Sequence, residues 1–139
     1  MGAMQRNKGA KFEQLVARML TKDTGAQWRR RVRNLEGESD ITPDDPRLGH
    51  VSIECKHATT LCLPEWWRQA QEQAERAAQL ALAPCLPVLV YRKTRSPSIW
   101  VRLDAHHVSP GTWPVAGRHT ITLEWDGFIQ WLREQVPAA

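Results

Sequence analysis

The order of periodic segments predicts an α/β (mixed α+β) fold: a central mixed β-sheet flanked by helices, with an added C-terminal strand and helix. Three observations carry it. A helical apolar stripe opens the chain at Phe12, Leu15, Val16, Met19 and Leu20. An apolar strand, Val51–Lys56, follows a stretch dense in turn formers. A cleanly alternating segment, Thr120–Trp125, runs directly into a second amphipathic stretch. Helical and strand periods interleaved within 139 residues imply one domain whose helices bury their stripes on a sheet.

Each element follows from local pattern. The first helix is predicted from Asn7, as N-cap, to Lys22, with Gly25 as its stop. Met1–Ala3 are left out of the fold argument. Glu13 lies about 100° round from Phe12, at the flank of the stripe; periodicity alone reads it as an exposed helix acid, although it can reach a neighbouring strand. Gln27–Arg33 reads as a strand with Arg29, Arg31 and Arg33 on one face and Trp28, Arg30 and Val32 on the other. Asn34–Gly37 turns the chain, Ser39–Thr42 forms a short strand, and Pro43–Gly49 returns it as a hairpin with Asp44 and Asp45 in the turn. The central strand spans about His50 to His57. A helix runs from Pro64 to about Leu82, with Trp67, Ala70, Ala74, Ala77 and Ala81 along one side. Leu86–Arg92 and Ser98–Leu103 are two strands joined by Thr94–Pro97. Asp126 is predicted to cap a last helix with Phe128, Ile129, Trp131 and Leu132 on its apolar side.

Composition narrows the function classes. Apolar residues make up 42% and charged residues 24%, which places the chain among globular proteins. No apolar run approaches the roughly 20 residues that span a bilayer, and no secretory signal opens the chain, so a cytoplasmic setting in a bacterial, archaeal or phage-infected cell is expected. Lys and Arg outnumber Asp and Glu, 19 to 15. Arg6, Lys8 and Lys11 lead the chain and Arg29, Arg30, Arg31 and Arg33 cluster, a pattern that suits an anionic partner such as DNA or a solvated surface. Arg29, Arg31 and Arg33 fit phosphates through their guanidinium forks; the alternative is an edge strand kept soluble by charge. Arg95 fits either a phosphate contact or a plain solvated turn. Cys55, Cys62 and Cys85 show no CxxC pairing, which argues for reduced thiols and against a zinc site. His106–His107 are sequence neighbours that rarely point at one metal. Of Trp66 and Trp67 only one can face the core, leaving the other for peripheral packing or a subunit interface.

The chemistry sits on the central strand. Glu54 and Lys56 emerge on one face, while Val51, Ile53 and Cys55 emerge on the other. An acid and a lysine at the end of an apolar strand are costly to desolvate without a partner. A divalent metal shared with Asp40 is such a partner, and carboxylates holding a hard cation beside a lysine suit phosphodiester hydrolysis.

Lys8-Gly9-Ala10-Lys11-Phe12-Glu13, Ser39-Asp40-Ile41, Ile53-Glu54-Cys55-Lys56 and Leu86-Pro87-Val88-Leu89-Val90 together resemble the archaeal-type Holliday junction resolvases, a branch also found in phages, within the restriction-endonuclease-like PD-(D/E)XK nucleases. The resemblance covers about residues 6–104, the nuclease core, and leaves about 105–139 as a C-terminal extension of a single domain. It implies that Glu13, Asp40 and Glu54, with the backbone carbonyl of Cys55, bind Mg²⁺ (or Mn²⁺ in its place), and that Lys56 completes the catalytic set. It also implies a site-proximal arginine at Arg31 or Arg33, homodimers, and paired symmetric nicks in four-way DNA junctions. Gln69 or Gln73 on the second helix can stand behind the site. Gln14 occupies a position where the resolvases tend to carry arginine. The competing readings are a nuclease of the same type acting on flaps, repair intermediates or restriction sites, and a non-catalytic DNA-binding subunit.

Overall fold

The computed structural model describes residues 2–30 and 40–135, the first helix up to residue 8 by its backbone alone. Arg31, Arg33 and the strand start at Ser39 therefore lie outside the described residues, as do the side chains of Arg6 and Lys8.

Six strands form one sheet in the order β1-β2-β3-β4-β5-β6. Helix α1 (Gly2–Thr24) leads into β1 (Trp28–Arg30) and β2 (Ile41–Pro43). A 3-10 turn (Pro46–Leu48) then delivers β3 (Val51–Ala58). Helix α2 (Leu63–Ala81) crosses to β4 (Leu86–Lys93), which returns as β5 (Trp100–Asp104). A short α3 (Ala105–Val108) precedes β6 (Thr120–Glu124) and α4 (Trp125–Gln135). Among the described strands only β3 and β4 pair parallel; their connection is the one that contains a long helix, as a parallel crossover requires. The sheet is thus mixed and flanked by helices, as the restriction-endonuclease-like core demands.

Alternation on β4 divides the core in two. Val88 and Val90 join the larger cluster, with Phe12, Val16 and Leu20 of α1, Ile53 and Cys55 of β3, and Phe128 and Leu132 of α4. Leu89 and Tyr91 face the other way, onto Trp66 and Ala70 of α2. Strand β4 is buried on both faces, which is why its sequence reads as an unbroken apolar run. Burial of each such side chain contributes about 1.5–3 kcal/mol. Three of the four buried tryptophans are anchored by their indole N–H groups: Trp28 donates to Thr24 Oγ1 (2.9 Å), Trp125 to Asp23 Oδ2 (2.8 Å) and Trp131 to the carbonyl of His107 (3.0 Å).

Three local expectations are corrected. Asn7 does not cap α1, which already runs from Gly2, because no proline interrupts the earlier residues. Gly25 does stop it, at φ +80° and with its N–H on the Thr21 carbonyl (3.1 Å). Asp126 does not cap α4; the helix starts at Trp125, and Asp126 lies in its first turn, where an acid favours the positive end of the helix dipole. On α2 the buried stripe is Trp66, Ala70 and Ala74, while Trp67 is half-buried and Ala81 exposed. Ala70 and Ala74 are buried as expected, and Trp66 completes the stripe against Leu89 and Tyr91, with Trp67 packed at its edge. The loop after β5 contains α3, which its sequence does not announce. Among the described residues no helix is long and apolar enough to cross a membrane.

Candidate active site

The β2–β3 hairpin positions two of the acids. Ile41 pairs with Ile53, and the Asp40 N–H donates to the Ile53 carbonyl (3.1 Å), so Asp40 arrives beside the middle of β3. Its carboxylate is buried, 6% exposed, and Oδ2 accepts the Cys55 N–H at 3.0 Å. That hydrogen bond fixes the carboxylate against the strand that carries Glu54. Glu54 and Lys56 share the α2 face of β3 by alternation, and Lys56 Nζ lies 3.5 Å from Glu54 Oε1.

Glu13 enters from α1. Its Oε2 accepts from Arg30 Nε at 2.7 Å, both side chains being mostly buried. Arg30, the partner of Glu13, is the residue that sequence reasoning passed over. Alternation placed it with Trp28 on the face away from Arg29, and that face is the one α1 covers. Nothing in local periodicity pairs it with an acid 17 positions earlier. Arg29 is exposed on the opposite face, as expected of a phosphate-facing or solvated position, and Lys11 and Arg95 are also exposed. Arg95 sits in its turn at φ +70°.

The acids feel one another's charge. Burial pushes the Glu54 carboxyl up from its ordinary 4.5 to about 7; the Asp40 carboxylate adds to the rise, Lys56 opposes it, and Glu13 adds a smaller push. Burial likewise raises Glu13, with Asp40 contributing, against Arg30 and Lys56. Cys55 is buried among them, and burial raises its thiol far above the usual range, which keeps it an inert core group.

Gln69 and Gln73 are engaged on their own helix. Gln69 Nε2 donates to Glu65 Oε1 (3.2 Å), and Gln73 Oε1 accepts from Arg76 (3.3 Å). Glu65 lies in the first turn of α2. Its hydrogen bond to Arg68 holds the Glu65 carboxyl low, and the nearby charge of Lys56 lowers it further. His106 Nδ1 donates to the Trp113 carbonyl (2.9 Å) and His107 Nε2 lies 3.8 Å from Asp104, so neither histidine of that pair looks towards the carboxylates.

Among the described residues no group of three or more His, Cys, Asp and Glu side chains stands closed about one point as a metal cage. The donor chemistry nonetheless fits a hard cation. Buried carboxylates that raise one another's proton affinity are oxygen donors short of positive charge. In this arrangement Arg30 and Lys56 supply that charge to Glu13 and Glu54. Among the described residues, clefts lie between α1 and α4 near Asp23 and Arg133, beside Asp45 and Arg47, and between α2 and the segment before β6.

No curated protein matches the chain in sequence. The model of the family described as "Phage putative PDDEXK endonuclease" matches residues 4–109, from α1 through α3, and so includes Glu13, Asp40, Glu54 and Lys56. A family match over most of the chain, on a mixed sheet that brings acids and a lysine together on adjoining elements, settles the kinship: the chain belongs to the phage PDDEXK endonuclease family.

Proposed function

We propose that this protein is a metal-dependent, structure-selective DNA endonuclease that resolves four-way junctions as a homodimer, by paired symmetric nicks. The observation that carries the reading is the buried Asp40–Glu54 pair with Lys56 beside it, on the strand and hairpin of a PDDEXK-family chain. Asp40, Glu54 and Glu13, with the Cys55 carbonyl, are the groups that would hold Mg²⁺, or Mn²⁺ in its place. A divalent cation there supplies charge neutralisation on the phosphate and a more acidic water.

The chain's own groups do the rest. The Cys55 N–H orients Asp40. Lys56 has three N–H donors and no acceptor, so it faces a phosphate oxygen and stabilises charge that develops there. Arg30 holds Glu13 at the α1 edge. Arg29 and Lys11, exposed on the surface, bind backbone phosphate, which positions DNA without reading sequence. Two such sites related by a dimer axis suit the two opposed strands of a junction.

The test is incubation of an end-labelled four-way junction with Mg²⁺, and then with EDTA, beside flap, nicked and linear substrates. Symmetric paired nicks confined to the junction and lost in EDTA are expected. Preferential cutting of flap or linear DNA would reassign the substrate, and no cutting of any substrate would favour a non-catalytic DNA-binding subunit.

A further inference from the structure

The segment between α3 and β6, largely beyond the family match, builds a second cleft. Its volume is about 260 Å³, and Trp67 and Gln71 of α2 face Asp104, Gly117, Arg118 and His119 across it. The cleft opens on the sheet face that carries Glu54 and Lys56. Strand register runs Glu54–Leu89–Arg102 across β3, β4 and β5, and Asp104 follows Arg102 on the same face.

The one acid of the cleft is already committed. Asp104 Oδ1 accepts the His106 N–H (3.0 Å), Oδ2 accepts the Gly117 N–H (2.7 Å), and His107 lies 3.8 Å away. Those bonds pin the loop at both ends, with Gly117 at φ +80°. The Ala105 N–H donates to the His119 carbonyl (2.9 Å), and the His119 ring packs on Trp113 at 4.9 Å. The loop is thus held in place. Among the described residues the Arg118 guanidinium, the Trp67 indole N–H and the Gln71 amide make no hydrogen bond or ion pair within the protein. A tryptophan, a guanidinium and an amide line a space just below the ~300–1,000 Å³ of ordinary ligand pockets. A space of about 260 Å³ is of the size of one small ligand and far too small for a duplex.

We infer that this cleft takes a single unpaired nucleotide of a DNA strand, its base stacked on Trp67 and hydrogen-bonded by Gln71, and its phosphate on Arg118. Stacking on an aromatic side chain is sequence-tolerant, and guanidinium binding to the backbone is equally so. The inference rests on the reading of this chain as a DNA enzyme and gives that enzyme a means of sensing unpaired bases near a branch point.

The experiment measures binding of a fluorescent oligothymidylate and of a blunt duplex to the full chain in EDTA by anisotropy, for the wild type and for Trp67→Ala, Arg118→Ala and Gln71→Ala. Arg118 and Gln71 are exposed, so those variants keep the fold even if Trp67→Ala does not. The expected result is roughly tenfold weaker single-strand binding in Arg118→Ala and Trp67→Ala, of the size of one lost stacking or charge contact, with duplex binding unchanged. A bromodeoxyuridine oligonucleotide is expected to photocrosslink to Trp67. Wild-type protein that does not bind the single strand, equal affinity in Arg118→Ala, or crosslinks confined to other residues would overturn the inference. Failure of the nuclease reading looks different: no metal-dependent cleavage of any DNA by the wild type, whatever the single-strand affinity.

Discussion

Replacing Glu54 by glutamine is expected to stabilise the metal-free protein while abolishing cleavage. Glu54 is 15% exposed, and its carboxyl is pushed from 4.5 to about 7, first by burial and then by Asp40, against the opposing Lys56. Each tenfold change in proton affinity is worth about 1.4 kcal/mol, so keeping Glu54 ionised in the folded state costs up to about 3 kcal/mol well above pH 7. The sign follows from linkage. Below pH 4.5 the group is protonated in both states and costs nothing. Between 4.5 and about 7 the unfolded chain releases the proton first, so stability falls as pH rises. Glutamine removes that cost, in which the opposing pull of Lys56 is already counted. The net expectation is a gain of about 2–3 kcal/mol at pH 8 and almost none at pH 4.5. Urea unfolding in EDTA at both pH values reads it directly, with an unchanged m-value as the check on two-state behaviour. Equal stability of the two proteins at pH 8, or a gain of the same size at both pH values, would refute the claim that Glu54 is held under electrostatic strain.

Three further outcomes are expected. Asp40→Ala, which leaves the Cys55 N–H without its acceptor, should lower stability by about 1–3 kcal/mol in a urea titration, whereas Asp40→Asn should retain most of the stability and still lose cleavage in a junction assay. Lys56→Ala should eliminate nicking while gel-shift affinity for the junction stays within a fewfold, because its proposed role is confined to the reacting phosphate. Leu82→Gly should raise the melting temperature slightly: Leu82 is 92% exposed at φ +53°, a left-handed conformation that costs a side chain about 1–2 kcal/mol, against about 0.5–1 kcal/mol of extra chain entropy for glycine.

Much of this architecture was legible residue by residue. The alternation of Val51, Ile53 and Cys55 against Glu54 and Lys56 located the central strand and named the acid and the lysine on its face. The stripe Phe128, Ile129, Trp131, Leu132 gave the last helix, and all four are buried. Gly25 marked the end of α1. The start of α1 was misplaced because Asn7 satisfies the chemistry of a cap without being asked to serve as one. Trp67 was put on the buried side of α2 because alanine spacing tolerates either neighbour, and only the angle at which the helix crosses Leu89 and Tyr91 selects Trp66.

Sequence alone determined the element types, the residues that alternate or stripe, and the identities of Asp40, Glu54 and Lys56 as candidates, because periodicity and turn chemistry act over a few residues. Tertiary structure decided which groups meet. The Glu13–Arg30 pair, the Asp40 carboxylate on the Cys55 N–H, the rise of Glu54 to about 7 and the Asp104-pinned loop opposite Trp67 all arise from segments that approach only when the sheet assembles. The energies of those contacts depend on separation and on exclusion of water, and neither quantity is written in the local order of residues.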